Sequence, residues 1–566
     1  MAPAPSQPFS LNTLTQIPML DFTSLTFLKR ASLAAASLLA LGHTAQAQAP
    51  GVQWNKAFGG SGEDRLTVVQ PTTDGGYILG GFSGSGPSTT KTDPSFGGLD
   101  YWVVKVDATG NKQWDKTFGG AGEDRLTSLQ QTADGGYILG GHSASGASGS
   151  KTQPNQGGVD LWIVKIDATG TKTWDRSLGT NTDDRLATVR QTTDGGYIVG
   201  AQSDSGVFGD RSQPGNGSLD YWLLKLDATG AKTWDKSIGG SSNDILNAVR
   251  QTRDGGYILG GFSYSPASGD KSQGTRGGTD YDFWVVKVDA AGTKVWDRTL
   301  GGSGFDNLTS LTLTNDGGYV VGGFSNSPAA SEKSQGSRGD YDNWIVKLSA
   351  TGQKLWDFTF GGDGYDSLNG LYQTADRGYI FGSQSNSSVS GEKTQANFGP
   401  SNTPDFWVVK VDSTGRKQWD GTYGGNQDDV LNSLSQAADG SFVLGGFSNS
   451  GASGTRTQPS AGGFDFWVVK LGPVATASKD AASSSPLAIY PNPTPGQFTV
   501  QLPGYFTPAG LKAELLDATG RTVWQRSQLP AGNSLTIQPG SQPAGVYLFR
   551  LRDSAGHQQL QRVVIQ

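Results

Sequence analysis

The chain of 566 residues contains no cysteine. Disulfides, thiol nucleophiles, zinc–thiolate sites and iron–sulfur clusters are thereby excluded. Histidine is nearly as scarce, with His43, His142 and His557 as the three in the sequence. Scattered singly, they cannot assemble a multi-histidine metal centre and give little scope for a Ser-His-Asp triad. Acid–base chemistry, if any, would fall to Asp, Glu, Lys or Tyr. Charged residues make up 17%, against a usual share of about 25%. A net charge of −6 is no electrostatic footprint for nucleic acid or an anionic membrane. The apolar run ASLAAASLLALG at 31–42 is well short of the roughly 20 residues that span a bilayer.

What is present points to β-structure. Gly accounts for 84 residues, roughly double the average share of about 7%, without the three-residue period of collagen. Aromatics reach 10%, including 15 Trp, which is not a disordered composition. Near the start, Lys29-Arg30, the apolar run and the small-x-small sites Ala45-Gln46-Ala47 and Ala47-Gln48-Ala49 form a signal-peptide pattern over 1–49. The true start is Met1 or Met19, and the mature chain is expected to begin near Gln48 or Pro50.

Self-similarity organises the rest. DGGY or a variant begins at Asp74, Asp134, Asp194, Asp254, Asp316, Asp376 and Asp439. A W-V-V-K-like phrase begins at Trp102, Trp162, Trp222, Trp284, Trp344, Trp407 and Trp467. A second series runs Trp54, Trp114, Trp174, Trp234, Trp296, Trp356 and Trp419, at intervals of 60 to 63 residues. One unit reads as four strands: 64–72, 76–83, 100–107 and 112–120. Asp-Gly and Thr-Gly mark the tight turns, and a long Gly/Ser loop follows the second strand. Apolar residues fall on both faces of the third strand, Trp102, Val104 and Val106 on one and Tyr101 and Val103 on the other. Such a strand is sandwiched between two layers. Radially stacked four-stranded sheets make a β-propeller. An outer-membrane barrel would need an apolar-out, polar-in alternation that these strands lack. The array opens on a fourth-strand phrase (52–60) and ends on a third-strand phrase (466–471), so the first segment is expected to complete the last unit and close the ring.

After a small-residue linker, 472–486, the composition changes. YPNPTPGQFTV (490–500), LLDATGRTVW (515–524), PAGVYLFRL (543–551) and the RVVI ending closely resemble the C-terminal sorting domain of the type IX secretion system of Bacteroidota. The resemblance implies export across the outer membrane, interaction of 487–566 with the secretion machinery, and removal of the domain with surface attachment or release. The repeats, with DGGYILGG, D-x-W-V-V-K and W-D-K-T-x-GG, resemble secreted Bacteroidota propeller proteins. The phrase D-A-T-G-x-K-x-W, as in Asp107 to Trp114, resembles the tryptophan-docking phrase of quinoprotein-type propellers. It also reads as a turn followed by a Trp that locks neighbouring blades. No quinone pocket with a metal and an acidic base is identifiable.

The expected architecture is therefore all-β: a signal peptide (1–49), a seven-bladed β-propeller (50–471), a linker (472–486) and a small Ig-like β-sandwich sorting domain (487–566). Recurring acids open each first strand, namely Asp64, Asp124, Asp184, Asp244, Asp306, Asp366 and Asp429. Others precede each third-strand Trp, beginning with Asp100, and a basic residue recurs in each long loop, beginning with Lys91. They read either as a ring binding a cation or sugar or as a turn bond and ion pair repeated per blade. Recurrence in every blade favours the second, because active sites are asymmetric. GGSGEDR is similar to Gly-Asp calcium repeats, but those need tandem nine-residue copies. His142 stands where several blades have Phe and reads as a packing variant. Loop-face candidates for ligand contact are Phe96, Phe208, Tyr264, Arg276, Arg338 and Phe398, on the face opposite the TDGG and ATGN turns. The first-strand acids are expected to rim the channel mouth on that face. The expected role is a non-catalytic binding, adhesion or envelope module, a monomer without metal or cofactor that takes a glycan or protein ligand. The alternative is a secreted polysaccharide lyase or hydrolase, with Asp280-Tyr281-Asp282 and Asp340-Tyr341-Asp342 as the local irregularities that would mark it.

Overall fold

A computed structural model describes residues 48–204, 206–278, 280–330, 332–473, 487–502, 511–517, 520–527, 534–552 and 558–566. Nearly all of the expected signal segment and linker, together with His43 and His557, lie outside the described residues. In blade 1 the strands Asp64–Pro71, Tyr77–Ser83, Asp100–Val106 and Lys112–Phe118 pair in sequence order as an antiparallel sheet. Five further sheets repeat this order, with first strands starting at Asp124, Asp184, Asp244, Asp306 and Asp366. Blade 7 combines Asp429–Gln436, Phe442–Ser448 and Asp465–Leu471 with Val52–Phe58 from the start of the array. Val52 faces Leu471 and Phe58 faces Phe466 in that pairing. The ring closes as the unmatched strand phrases require, leaving no blade with an open edge at the join.

Burial explains why the strands are apolar on both faces. All seven residues of each third strand are buried. Tyr101 and Val103 pack towards blade 2, against Leu126, Leu139 and Trp162. Trp102 and Val104 pack the other way, against Phe466 and Val468 of blade 7. The core is thus a set of layers between blades rather than one central mass. Gly80 shows how tightly they approach, since a methyl group there would lie 2.9 Å from Leu129 Cδ1 of the next blade. Every blade has Gly at that position.

The inner strands are joined round the axis as well. Each carries a bulge at Thr67 or its equivalent, which turns that side chain towards the next blade. Thr67 Oγ1 donates to the Leu126 carbonyl at 2.9 Å and Thr127 Oγ1 to that of Leu186 at 3.0 Å. Asn247 reaches Leu308, Thr309 reaches Leu368, Asn369 reaches Leu431, and Asn432 closes the circle on Leu66. In blade 3 the bulged residue is Ala187, which has no side-chain donor.

Residues 488–565 form two further sheets, one of three strands and one of four. They share a core that includes Phe498, Leu515, Phe549 and Val563, the small sandwich expected from the sequence. No helix among the described residues is long and apolar enough to cross a membrane.

Blade 7 carries a substitution that its closing strand explains. In blades 1–6 the third-strand Trp donates its indole N–H to a fourth-strand Asp that is also paired with a Lys three residues before it, as Asp115 is with Lys112 at 2.7 Å. In the closing strand Asn55 replaces that Asp and Val52 replaces the Lys. Asn55 Oδ1 accepts from Trp467 Nε1 at 3.4 Å and from Thr457 N at 3.1 Å. Without the Lys, a carboxylate here would be a buried unpaired charge. Asn55→Asp is therefore expected to destabilise the ring by about 1–3 kcal/mol in denaturant melts. Adding Val52→Lys should recover most of that loss, and equal stability of Asn55→Asp and wild type would contradict the pairing.

Candidate functional site

The recurring charges are consumed by the scaffold. Lys105 Nζ, almost wholly buried in the third strand, pairs with Asp74 of the TDGG turn at 2.8 Å. Burial raises the Asp74 pKa, but hydrogen bonds from Lys105, Thr72 and Gly76 outweigh it and bring the group down to about 2. Asp115 accepts from Trp102 Nε1 at 3.1 Å, from Thr92 N at 2.8 Å and from Thr92 Oγ1 at 2.7 Å. Thr92 lies in the long loop, so this carboxylate ties the loop to the blade. The loop base is structural too: Lys91 is buried and donates to the Asp93 carbonyl at 2.6 Å and Thr117 Oγ1 at 3.0 Å.

The docking-like Trp series locks blades together. Trp114 meets Tyr137 of blade 2 edge-on, with ring centroids 6.1 Å apart, and Trp54 meets Tyr77 at 5.7 Å. Gly110 of the ATGN turn adopts φ +80°, and a methyl group on it would lie 3.0 Å from the Trp54 ring. Only a glycine turn can close over that indole.

The first-strand acids do not rim the channel mouth. Asp64, Asp124, Asp184, Asp244, Asp306, Asp366 and Asp429 are each 0% exposed. The Asp124 backbone N–H donates to the Leu99 carbonyl of blade 1 at 2.5 Å, which tucks the residue against the preceding blade. Its Oδ2 then caps the connection between blades, accepting from Gly120 N at 2.8 Å and Ser145 Oγ at 2.8 Å.

Each first-strand acid therefore lies beside the third-strand acid of the blade before it. A methyl group on Gly301 would lie 2.1 Å from Asp282 Oδ1 and 2.7 Å from Asp306 Oδ2. Oδ1 of Asp282, buried like its counterparts, has no hydrogen-bond partner. Burial, with a smaller contribution from the neighbouring carboxylate, pushes Asp100 up to about 6 and Asp405 up to about 7. Two buried carboxyls at one joint favour the neutral form of the third-strand acid. Among the described residues no group of three or more His, Asp or Glu could hold a metal ion.

The loop candidates divide. Phe96, Arg276, Arg338 and Phe398 occupy one repeat position, and their backbone N–H groups donate to the third-strand Asp of their own blade. Their side chains clasp the next blade's loop. Arg338 Nη2 pairs with Glu392 at 2.6 Å and Arg276 with Glu332 at 3.5 Å, while Phe96 and Phe398 lie over Gly149 and Gly454. Phe208 is exposed beside the tight turn that Arg211 closes by donating to its carbonyl. Tyr264 is different, because it belongs to a larger aromatic group, of which blade 7 keeps only the Phe447–Phe464 pair.

Two such groups of rings line the loop face over blades 4–6. Tyr281 stacks near Phe262 (4.7 Å), Tyr264 (4.9 Å) and Phe305 (4.9 Å). Tyr341 meets Tyr365 at 5.5 Å and Phe324 at 5.6 Å. All seven rings are half-buried, and Asp280 and Asp340 border them in sequence. In blades 1–3 the positions of Phe305 and Tyr365 hold Glu63, Glu123 and Asp183, which pair with Arg65, Arg125 and Arg185. His142 sits in that polar sector, its pKa pushed down to about 4 by burial and by Arg185 and Arg125.

Residues 488–566 match the family described as the secretion system C-terminal sorting domain. The chain is thus directed by a type IX sorting domain to the cell surface or extracellular space. It is 24% identical over 314 residues to the regulatory protein FlaEY of Caulobacter vibrioides, an alignment covering 50% of this chain and 32% of that protein. The chain thus spans about a third of that relative's length. Among solved structures it is similar to the Neurospora crassa Pan2 WD40 domain (8% identity, 72% of this chain, 89% of that one, TM-score 0.37). It is also similar to the extracellular domain of the putative hybrid two component system BT4673 of B. thetaiotaomicron (10%, 88% and 68%, TM-score 0.31).

The acid pairs predict an unusual pH dependence. Native Asp100, Asp220 and Asp405 titrate at about 6 to 7, whereas the unfolded chain releases those protons near 3.9. Between about pH 4 and pH 7 the native state holds more protons, so stability falls as pH rises through that window. Thermal melts should give a higher Tm at pH 5 than at pH 8, and a flat or rising profile would contradict the raised titration of these acids.

Proposed function

We propose that the exported propeller is a non-catalytic binding or adhesion module whose contact surface is the aromatic sector of blades 4–6 on the loop face. The observation that carries this reading is the break in symmetry. A scaffold repeated seven times places Arg–carboxylate pairs on blades 1–3 and two neighbouring groups of Tyr and Phe rings on blades 4–6. Half-exposed tyrosines offer large, rigid, amphipathic contact area at low entropic cost. A stable ring with variable loop-face residues is a common way to present a binding surface. The ligand class is a surface glycan or a protein, met by a monomeric propeller delivered through the secretion machinery that reads residues 487–566. Release from that domain within 472–486 leaves the propeller as the acting part. The recurring first- and third-strand acids are closed off from solvent, which supports binding over polysaccharide cleavage.

Glycan and protein arrays probed with the full exported chain test the reading. The variant Tyr264→Ser/Tyr341→Ser/Tyr365→Ser is expected to weaken any captured ligand at least about tenfold, as loss of aromatic anchors does. Substitutions in the TDGG turns, such as Thr73→Ala, should leave binding unchanged. Binding lost through the turns and retained in the tyrosine variant would place the contact face on the wrong side.

A further inference from the structure

The inner strands enclose a central channel with a cavity volume of about 570 Å³. Its walls are mostly hydroxyls and amides, among them Thr67, Ser128, Asn247 and Asn369. No Asp or Glu lines it, yet two arginines do, Arg190 of blade 3 and Arg250 of blade 4. Both occupy one repeat position, which holds Gln70, Gln130, Thr312, Tyr372 and Ser435 in the other blades. The pair therefore breaks the repeat on two adjacent blades.

The two guanidinium groups are poorly compensated. Arg250 Nη1 donates to the carbonyl of Val249 at 2.9 Å. Arg190 Nε is buried without a hydrogen-bond partner. Burial, and then the like charge of Arg250, push Arg190 down to about 9. Both side chains are half-buried, and two like charges facing a channel without acids lack the partners that cations drawn out of bulk water ordinarily have. The planar fork of Arg matches the oxygens of carboxylates, phosphates and sulfates. The joint they flank is also the one where Ala187 supplies no bond to the next inner strand.

We propose that the channel is a binding site for a small oxyanion held between Arg190 and Arg250. The hydroxyl and amide groups of the wall are available for its remaining oxygens. Arg190 faces Ile198 across the sheet, one residue from the pair that borders the TDGG turn. The site therefore lies towards the short-turn end of the channel, away from the aromatic sector, and does not depend on that sector binding anything.

Calorimetry and thermal melts of the full chain test this at pH 7 and constant ionic strength. Inorganic phosphate and sulfate form one arm and galacturonate the other, against sodium chloride as control. The expected result is a saturable rise in Tm and saturable heat with at least one of them. A response to phosphate or sulfate identifies an inorganic oxyanion, and a response to galacturonate alone identifies a sugar-acid carboxylate. Arg190→Gln and Arg250→Gln should each weaken that binding by about 10- to 100-fold, the loss of a charge-assisted hydrogen bond. Gln stands at this position in blades 1 and 2, so the fold accommodates it, and the double variant without anion should melt no lower than wild type. No saturable response of the wild type to any of the three anions overturns the proposal. So does an equal response from wild type and the double variant.

Discussion

An indole N–H placed in a dry interface must find an acceptor, and the arrangement of each blade follows from how this protein supplies one. The third-strand Trp is needed between blades for its area, and burying its N–H unsatisfied would forfeit much of that gain. The acceptor is an Asp on the neighbouring fourth strand, which brings a buried charge. That charge draws in Lys112 from its own strand and Thr92 from the long loop. Strand pairing, loop path and blade stacking are thus coupled through one carboxylate per blade. Where the chain closes on itself, the whole group changes together, with Asn55 for Asp and Val52 for Lys.

Repetition separates scaffold from function here. A residue type that recurs in six or seven blades turns out to be bonded: Asp74 to Lys105, Asp115 to Trp102, Asp124 to the connection between blades. Positions where one sector departs from the others are the half-exposed or channel-lining ones, the rings around Tyr281 and the Arg190–Arg250 pair. Seven equivalent sites would present one chemistry in seven directions.

Much of the fold was legible in the sequence. The two faces of the third strand, Trp102 with Val104 and Tyr101 with Val103, are assigned by strand alternation alone. The closing strand follows from an array that starts and stops at different strands. Less legible were contacts between residues distant in a unit. Asp115 adjoins Trp114 in sequence, yet its bond is to Trp102, across the sheet. The first-strand acids looked like a channel rim because they follow the GGSGED connections on the long-loop face, whereas Asp124 is drawn under the preceding blade through Leu99. Phe96 and Arg338 looked like ligand contacts because loops vary, but their variation is matched by the next loop, as Glu392 matches Arg338. The aromatic sector shows only when Phe305 and Tyr365 are set beside Glu63, Glu123 and Asp183 in the repeat.

Ala187 gives the ring a direction. The bulged side chains of the other blades form a hoop of hydrogen bonds round the axis, interrupted between blades 3 and 4. With seven blades that interruption falls opposite blade 7, where the chain closes without a covalent link. The two exceptional places divide the circle into two arcs of three blades, one bearing the Arg–carboxylate rim and the other the aromatic rim. The gap in the hoop and the join of the chain therefore lie on one diameter of the ring, and the arcs on either side of it differ in surface chemistry.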